Sequence, residues 1–350
     1  MSLILRDERT TGSRQAVWAC ESIRPARVQC LGVWTEKRPG LGEDAEPTLL
    51  LRRSTRTGSI GVYDGLGGAG ARSLGHSRDG RSISSAFAAS RLAHLAVREW
   101  FVEGRDKKVP LEGRLREVFD GARPPGVLKV RGTMTKQLPT TIAMIDFEPG
   151  ERGGFRATAR WAGDSRCYLL SPGLGLQQLS VDDSDENDPL LTLLADQPLT
   201  NQLAAGFPFQ LHEQVVDRPA AGCMLLCATD GFFGYVASPA MFEYHLLRAL
   251  AQAGNPHDWG GRLADWRHGT SGDDASLALV ALGFDDFRGL RDGFRDRLDR
   301  LHREHADPLR RLEEADLDEA ERDRRLDDFR EGSWARYRET YMELMPGRVK

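Results

Sequence analysis

Ile60-Gly61-Val62-Tyr63-Asp64-Gly65-Leu66-Gly67-Gly68-Ala69-Gly70 sets an apolar, β-prone run directly before an aspartate and a glycine-rich turn. Such a run reads as a buried strand whose last side chain is a carboxylate at the sheet's edge. Gly65, Gly67, Gly68 and Gly70 let the backbone turn sharply and leave room beside the carboxylate for an ion or a phosphate. Met224-Leu225-Leu226-Cys227-Ala228-Thr229-Asp230-Gly231 repeats the arrangement. Asp273-Asp274 reverses it, standing just before the strand-like run Ala275–Leu282. An acid after one strand and an acid before another share a sheet edge if those strands are antiparallel. Three aspartates far apart in sequence would thereby meet at one oxygen-rich point, of the kind that Mg²⁺ and Mn²⁺ favour. A lone Asp-Gly is ordinarily a hairpin turn. Three strand-end acids, with Glu43-Asp44 upstream, argue against independent turns.

The 350 residues suffice for one large domain or two smaller ones. A net charge of -4 offers no basic footprint for nucleic acid. The opening Met1-Ser2-Leu3-Ile4-Leu5-Arg6-Asp7 has too few apolar residues for a signal peptide, and no run has the length of a membrane span. The expectation is a cytoplasmic protein without nucleic-acid or membrane partners. Cys20, Cys30, Cys167, Cys223 and Cys227 include no C-x-x-C pair and read as small core hydrophobes. The eight histidines lack metal-type spacing, and His76 reads as a solvated loop residue.

In chain order, residues 1–16 read as frayed and 16–33 as one or two strands. A turn-rich stretch then ends at Glu43-Asp44, and Thr48 to Arg53 forms a short strand. Residues 71–83 read as a loop. Helices are expected over 84–102, with Ser84 or Ser85 as N-cap, and over 111–121, before Pro124-Pro125. Strands follow at 140–145, 157–162 and 167–170, then an acidic, irregular flap over 181–206. Helices are expected at about 241–253 and 259–266. Beyond Phe284, apolar positions sit among alternating charges, with Pro308 dividing the segment into helices. We take 1–284 as the main domain and 285–350 as a charged helical extension that packs on the core, self-associates or binds a partner.

Together these residues resemble the metal-dependent serine/threonine protein phosphatases of the PPM, or type 2C, family. Glu43-Asp44 stands where that family has its early Glu-Asp pair. Asp64-Gly65-Leu66-Gly67-Gly68 resembles its D-G-x-G-G, Thr140-Thr141 its G-T-T strand, and Gly163-Asp164-Ser165-Arg166 its G-D-S-R turn. Thr229-Asp230-Gly231-Phe232 resembles S-D-G-hydrophobic, and Asp273-Asp274-Ala275-Ser276 resembles D-N/D-x-T/S. The six motifs fall in the family's order across about residues 20–283.

The resemblance implies an α+β fold, an antiparallel β-sandwich flanked by α-helices, with two Mn²⁺ or Mg²⁺ ions in a cleft at one end. Asp64 would bridge the ions, the Gly65 carbonyl, Asp230 and Asp273 would complete the direct shell, and Glu43 and Asp44 would hold metal-bound waters. A hydroxide shared by the ions would attack phosphoserine or phosphothreonine in line. Arg38 would hold the substrate phosphate, one residue farther from Glu43 than the family's spacing. An opposing Ser/Thr kinase, or its targets, is the implied partner.

The departures are specific. Leu66 replaces a histidine present in many eukaryotic members, so leaving-group protonation would fall to a metal-bound water. Pro139 replaces the glycine before the Thr-Thr pair. Met134-Thr135-Lys136-Gln137 offers no carboxylate for a third ion, though Lys136 offers a substituting charge. Asp182-Asp183-Ser184 replaces Asp-His-Ser in the flap. We read the Gly163–Arg166 turn as structural, its Asp and Ser satisfying backbone groups. Two rival readings stand: a pseudophosphatase that binds phosphoproteins or a kinase, and a two-metal hydrolase of small phosphoesters.

Overall fold

The computed structural model describes residues 2–4, 15–23, 27–71, 73–76, 80, 82–104, 109–122, 137–150, 154–186, 188–194, 197–218 and 222–347. Most of residues 1–16, Pro124-Pro125 and the Met134–Lys136 stretch lie outside them.

The first six-stranded sheet runs in the order β1 (Ser2–Ile4), β4 (Thr48–Arg52), β5 (Thr57–Val62), β9 (Ile142–Pro149), β10 (Phe155–Ala162), β14 (His212–Arg218). The second runs β12 (Gly175–Gln178), β11 (Arg166–Ser171), β15 (Cys223–Ala228), β16 (Ala275–Leu282), β3 (Val28–Thr35), β2 (Gln15–Ile23). β13 (Leu203–Ala205) pairs with β8 (Gln137–Thr140), and β6 (Ser73–His76) with β7 (Ser82–Ser84). All these pairings are antiparallel.

Side-chain alternation decides which layer each strand feeds. On β15, Leu225 and Cys227 face the inter-sheet core with Ile60, Val62, Ile145 and Val280. Met224, Leu226 and Ala228 face the opposite way, into a helix-covered layer with Leu277 and Leu279. β15 is therefore apolar on both faces, which is why Met224–Ala228 reads as an unbroken hydrophobic run.

The first sheet is covered by α2 (Ser85–Glu99) and α3 (Leu111–Gly121), whose Ala89, Ala93, Leu115 and Phe119 pack on Tyr63 and Met144. Short α1 (Gly67–Gly70) precedes them, and α4 (Leu191–Leu194) lies in the flap. The second sheet is covered by α5 (Asp230–Phe233), α6 (Pro239–Gln252) and α7 (Pro256–Thr270). α8 (Phe287–Gly293), α9 (Arg295–Leu301), α10 (Asp307–Glu313) and α11 (Glu319–Tyr341) complete the chain. The expected antiparallel sandwich flanked by helices is the fold that forms.

Local capping matches the sequence. The Ser84 hydroxyl accepts the Phe87 N–H at 3.0 Å and starts α2. Three expectations need correction, and one strand has no counterpart among them. Residues 71–83 are not plain loop, since β6 and β7 form a small hairpin there. β14 went unread because its residues are mostly polar, as suits an edge strand. The 259–266 helix runs from Pro256 to Thr270, because Asn255 caps it and proline suits the first turn. Pro308 does not divide the last segment: it lies in the first turn of α10, and a π-helical stretch, His302–Ala306, carries the chain on from α9.

The charged segment after Phe284 packs on the core. Leu290, Phe294, Leu301, Trp334, Tyr337 and Tyr341 join the apolar layer of α6 and α7. A buried polar network reinforces this. Glu243 on α6 accepts Arg297 Nε and Nη2 at 2.7 and 2.8 Å, the Leu176 N–H at 3.1 Å, and the Tyr337 hydroxyl.

Candidate metal centre

β15 and β16 are antiparallel neighbours with Ala228 opposite Leu277, so the acid after one and the acids before the other share an end of the sheet. A side chain on Gly231 would run into the Asp274 carbonyl, which sets Asp230 against the 273–274 turn. From the facing sheet, Asp64 leaves β5 at the same end. Thr141 donates its N–H to the Asp64 carbonyl at 2.9 Å, and the Thr140 hydroxyl donates to the same oxygen. Gly65 is required by closeness, since a Cβ there would meet the Glu43 carbonyl oxygen at 2.5 Å.

Glu43-Asp44 lies between β3 and β4 and is held from three sides. The Glu43 carbonyl accepts from Ser90 and from Arg91 Nη1, the latter at 2.8 Å, and its carboxylate accepts from Ser84. Asp44 is 2% exposed and accepts the Thr229 hydroxyl at 3.0 Å. Asp274 accepts the N–H groups of Lys37 at 2.8 Å and Glu43 at 2.6 Å.

The electrostatics follow from this crowding. Burial, and then repulsion from Asp44, Asp230, Asp164 and Asp273, raises the Asp64 carboxyl well above its ordinary range. Burial and the charges of Asp274, Asp230 and Asp273 do the same to Asp44. Burial also raises Glu43, against the hydrogen bond from Ser84, and Asp274, against its two backbone donors. So many carboxylates sharing one desolvated end need positive charge to ionise together.

All the sequence-predicted acids are thus brought to one end. Asp273 and Arg38 are exposed, on the walls of a cleft of about 780 Å³ that Glu43 and Asp274 also line. Among the described residues, no three His, Cys, Asp or Glu side chains converge closely enough to enclose an ion as they stand.

Two residues were missed by sequence reasoning. Arg91 reads as an ordinary helix-surface arginine. It is instead half-buried under the Gly42–Glu43 loop, its guanidinium 3.7 Å from the Phe87 ring centroid, and loss of solvent there lowers its pKa to about 10. Asp164 lies in a turn that we read as structural. Ser165 fits that reading, with its hydroxyl 2.7 Å from that of Thr141. Asp164, however, has a buried Oδ1 without a hydrogen-bond partner among the described residues, and burial and Asp230 raise its carboxyl strongly. Asp183, in the altered flap motif, binds the Gly163 N–H at 2.9 Å and His212 Nε2 at 2.8 Å.

No protein-family model and no curated protein matches the sequence. Two solved structures of a bacterial serine phosphatase, one of them carrying a point mutation, superpose on the chain with a TM-score of 0.50. They are 15% and 16% identical to it, and each match covers 73% of this chain and 98% of the other. The chain has the type 2C phosphatase fold. Asp44, Asp64, Asp230 and Asp273 gather at one end of this sandwich.

Proposed function

We propose that this protein is a metal-dependent protein phosphatase that hydrolyses phosphoserine and phosphothreonine. The observation that carries the reading is the gathering of Asp44, Asp64, Asp230 and Asp273, each acting electrostatically on the others, at one end of a type 2C sandwich. An all-oxygen donor set of this charge suits Mn²⁺ or Mg²⁺. Asp64, the Gly65 carbonyl, Asp230 and Asp273 would hold two such ions directly, with Glu43 and Asp44 behind them through water. When bound, the ions supply charge neutralisation at the phosphate and acidify water.

The chain's own residues do the rest. Asp274, by accepting two backbone N–H groups, ties the Lys37 strand end to the Glu43 loop and fixes the cleft floor. Arg91 holds the carbonyls of Gly42 and Glu43, so the acid pair is presented by a braced loop. Arg38, exposed on the cleft wall, would receive a substrate phosphate bidentately. His94 lines the same cleft, but burial lowers its pKa to about 4, so it is a neutral ring near neutral pH and a poor proton donor. The opposing partner would be a Ser/Thr kinase, and the working compartment the cytoplasm. No helix among the described residues is long and apolar enough to cross a membrane.

One observation favours the pseudophosphatase alternative: the carboxylates of Glu43 and Asp274 are engaged by Ser84 and by backbone donors rather than turned to a common point. The deciding experiment is phosphate release from a phosphothreonine peptide with Mn²⁺, with EDTA and Asp230→Asn as controls. Turnover lost in both controls supports catalysis. A folded wild type inactive across Mn²⁺ and Mg²⁺ concentrations would leave the binding-module reading in its place.

A further inference from the structure

The acid end has a second opening. Asp230 lines a groove of about 850 Å³ whose walls come from the flap, the Asp230–Ala237 segment, α6 and the C-terminal helices. Its apolar lining includes Leu194, Tyr235, Met241, Leu309 and Leu326. The volume lies in the range of sites that enclose several side chains. Leu194 and Tyr235 are 41% and 55% exposed, so water-exposed apolar surface collects beside a proposed catalytic carboxylate.

This wall is preset. Tyr235 has φ +56, a left-handed conformation that is strained for a tyrosine. A Cβ on Gly272 would lie 3.0 Å from the Tyr235 ring, so the ring rests directly on that glycine. The fully buried Arg267 donates to the carbonyls of Gly231 and Gly234 at 2.7 and 3.2 Å, fixing the segment between Asp230 and Tyr235.

Resting on the phosphatase reading, we infer that this groove takes the segment of a phosphoprotein substrate next to its phosphorylated residue, and favours an aliphatic side chain there. The groove shares Asp230 with the reaction centre, so a chain whose phosphate reaches the acid cluster can continue into it. A small phosphoester would leave it empty. The C-terminal helices, which supply Leu309 and Leu326, thereby become part of the specificity surface.

The test uses full-length protein with Mn²⁺, p-nitrophenyl phosphate, and phosphothreonine peptides that differ only in leucine or alanine at flanking positions. Wild type should prefer a leucine peptide by about tenfold in kcat/KM, the order that apolar pockets supply. Leu326→Glu, and Leu194→Glu at an already exposed position, should abolish that preference while leaving p-nitrophenyl phosphate turnover within about twofold. No leucine preference in wild type, or equal losses on the ester and the peptides, would overturn the inference. So would light scattering that shows a dimer broken by Leu326→Glu with peptide kinetics unchanged, since the occupant would then be a second copy. A wild type inactive on peptides and ester alike would sink the phosphatase reading itself, and this inference with it.

Discussion

The Thr229 hydroxyl donates to the Asp44 carboxylate at 3.0 Å and accepts the Ser276 N–H at 3.0 Å. One side chain thus joins the early acid pair to the strand-end acids from the other half of the chain. Thr229 is fully buried, so water does not take that donor's place, and the Ser276 side chain is the other hydrogen-bonding group that acts on the Asp44 carboxyl.

Thr229→Val keeps the shape and removes the donor. Mn²⁺ affinity should fall by about tenfold, the lower end of what outer partners of metal ligands contribute. Thr229→Ser should retain it. Isothermal titration calorimetry of the three proteins decides the matter, and equal affinities would show that the Thr229 donor does not support the site.

Metal-free protein should lose stability as pH rises. Asp44, Asp64 and Asp164 have folded pKa values raised by burial and mutual repulsion. Above the ordinary value of 3.8 the folded state therefore holds more protons than the unfolded one, and stability falls until the folded values are passed. Mn²⁺ replaces those protons, so its stabilisation should be larger at about pH 8 than at about pH 5. Thermal scans with and without Mn²⁺ test the order, and the reverse order would contradict a shared acid cluster.

Glu243→Gln should be among the most damaging single changes outside the acid end. Glu243 is fully buried and Arg297 is only 8% exposed, so the substitution leaves a buried guanidinium without its counter-charge. The expected loss is about 3–5 kcal/mol by urea denaturation. Tyr337→Phe, which removes one donor to the same carboxylate, should cost about 1 kcal/mol.

His305 gives a second pH signature, of opposite sign. Burial, and then Arg336 and Arg297, lowers its pKa from 6.5 to about 4. The folded state then binds fewer protons than the unfolded one, so this contribution is whole above pH 6.5 and is lost as pH falls toward 4. In Mn²⁺-loaded protein, His305→Gln should flatten that part of the stability curve. An unchanged slope would show that His305 ionises freely in the folded state.

Much of the acid end was legible in the sequence because strand-end aspartates are local signals. Asp64 and Asp230 each close an apolar run, and the antiparallel pairing of β15 with β16 does the rest. Asp164 was not legible in the same way. Its turn joins strands of different sheets, and only that crossing carries it beside Asp230. Arg91 was hidden for a related reason: its burial depends on a loop nearly fifty residues earlier crossing α2. The apolar stripe after Phe284 could be read, but the Glu243–Arg297 pair could not, because each residue alone resembles the exposed charges around it.

Tyr341 packs among Tyr168, Trp334 and Tyr337, and the charge of Arg166 on β11 acts on its phenol. Arg166 in turn grips Asp182 at the root of the flap and Thr192 within it. During synthesis, every acid of the proposed centre is therefore made well before the residue that seals the layer beneath the flap. A ribosome that stalls shortly before Tyr341 would release a chain with all its proposed ligands and an open hydrophobic face. Such a product is material for chaperones and proteases.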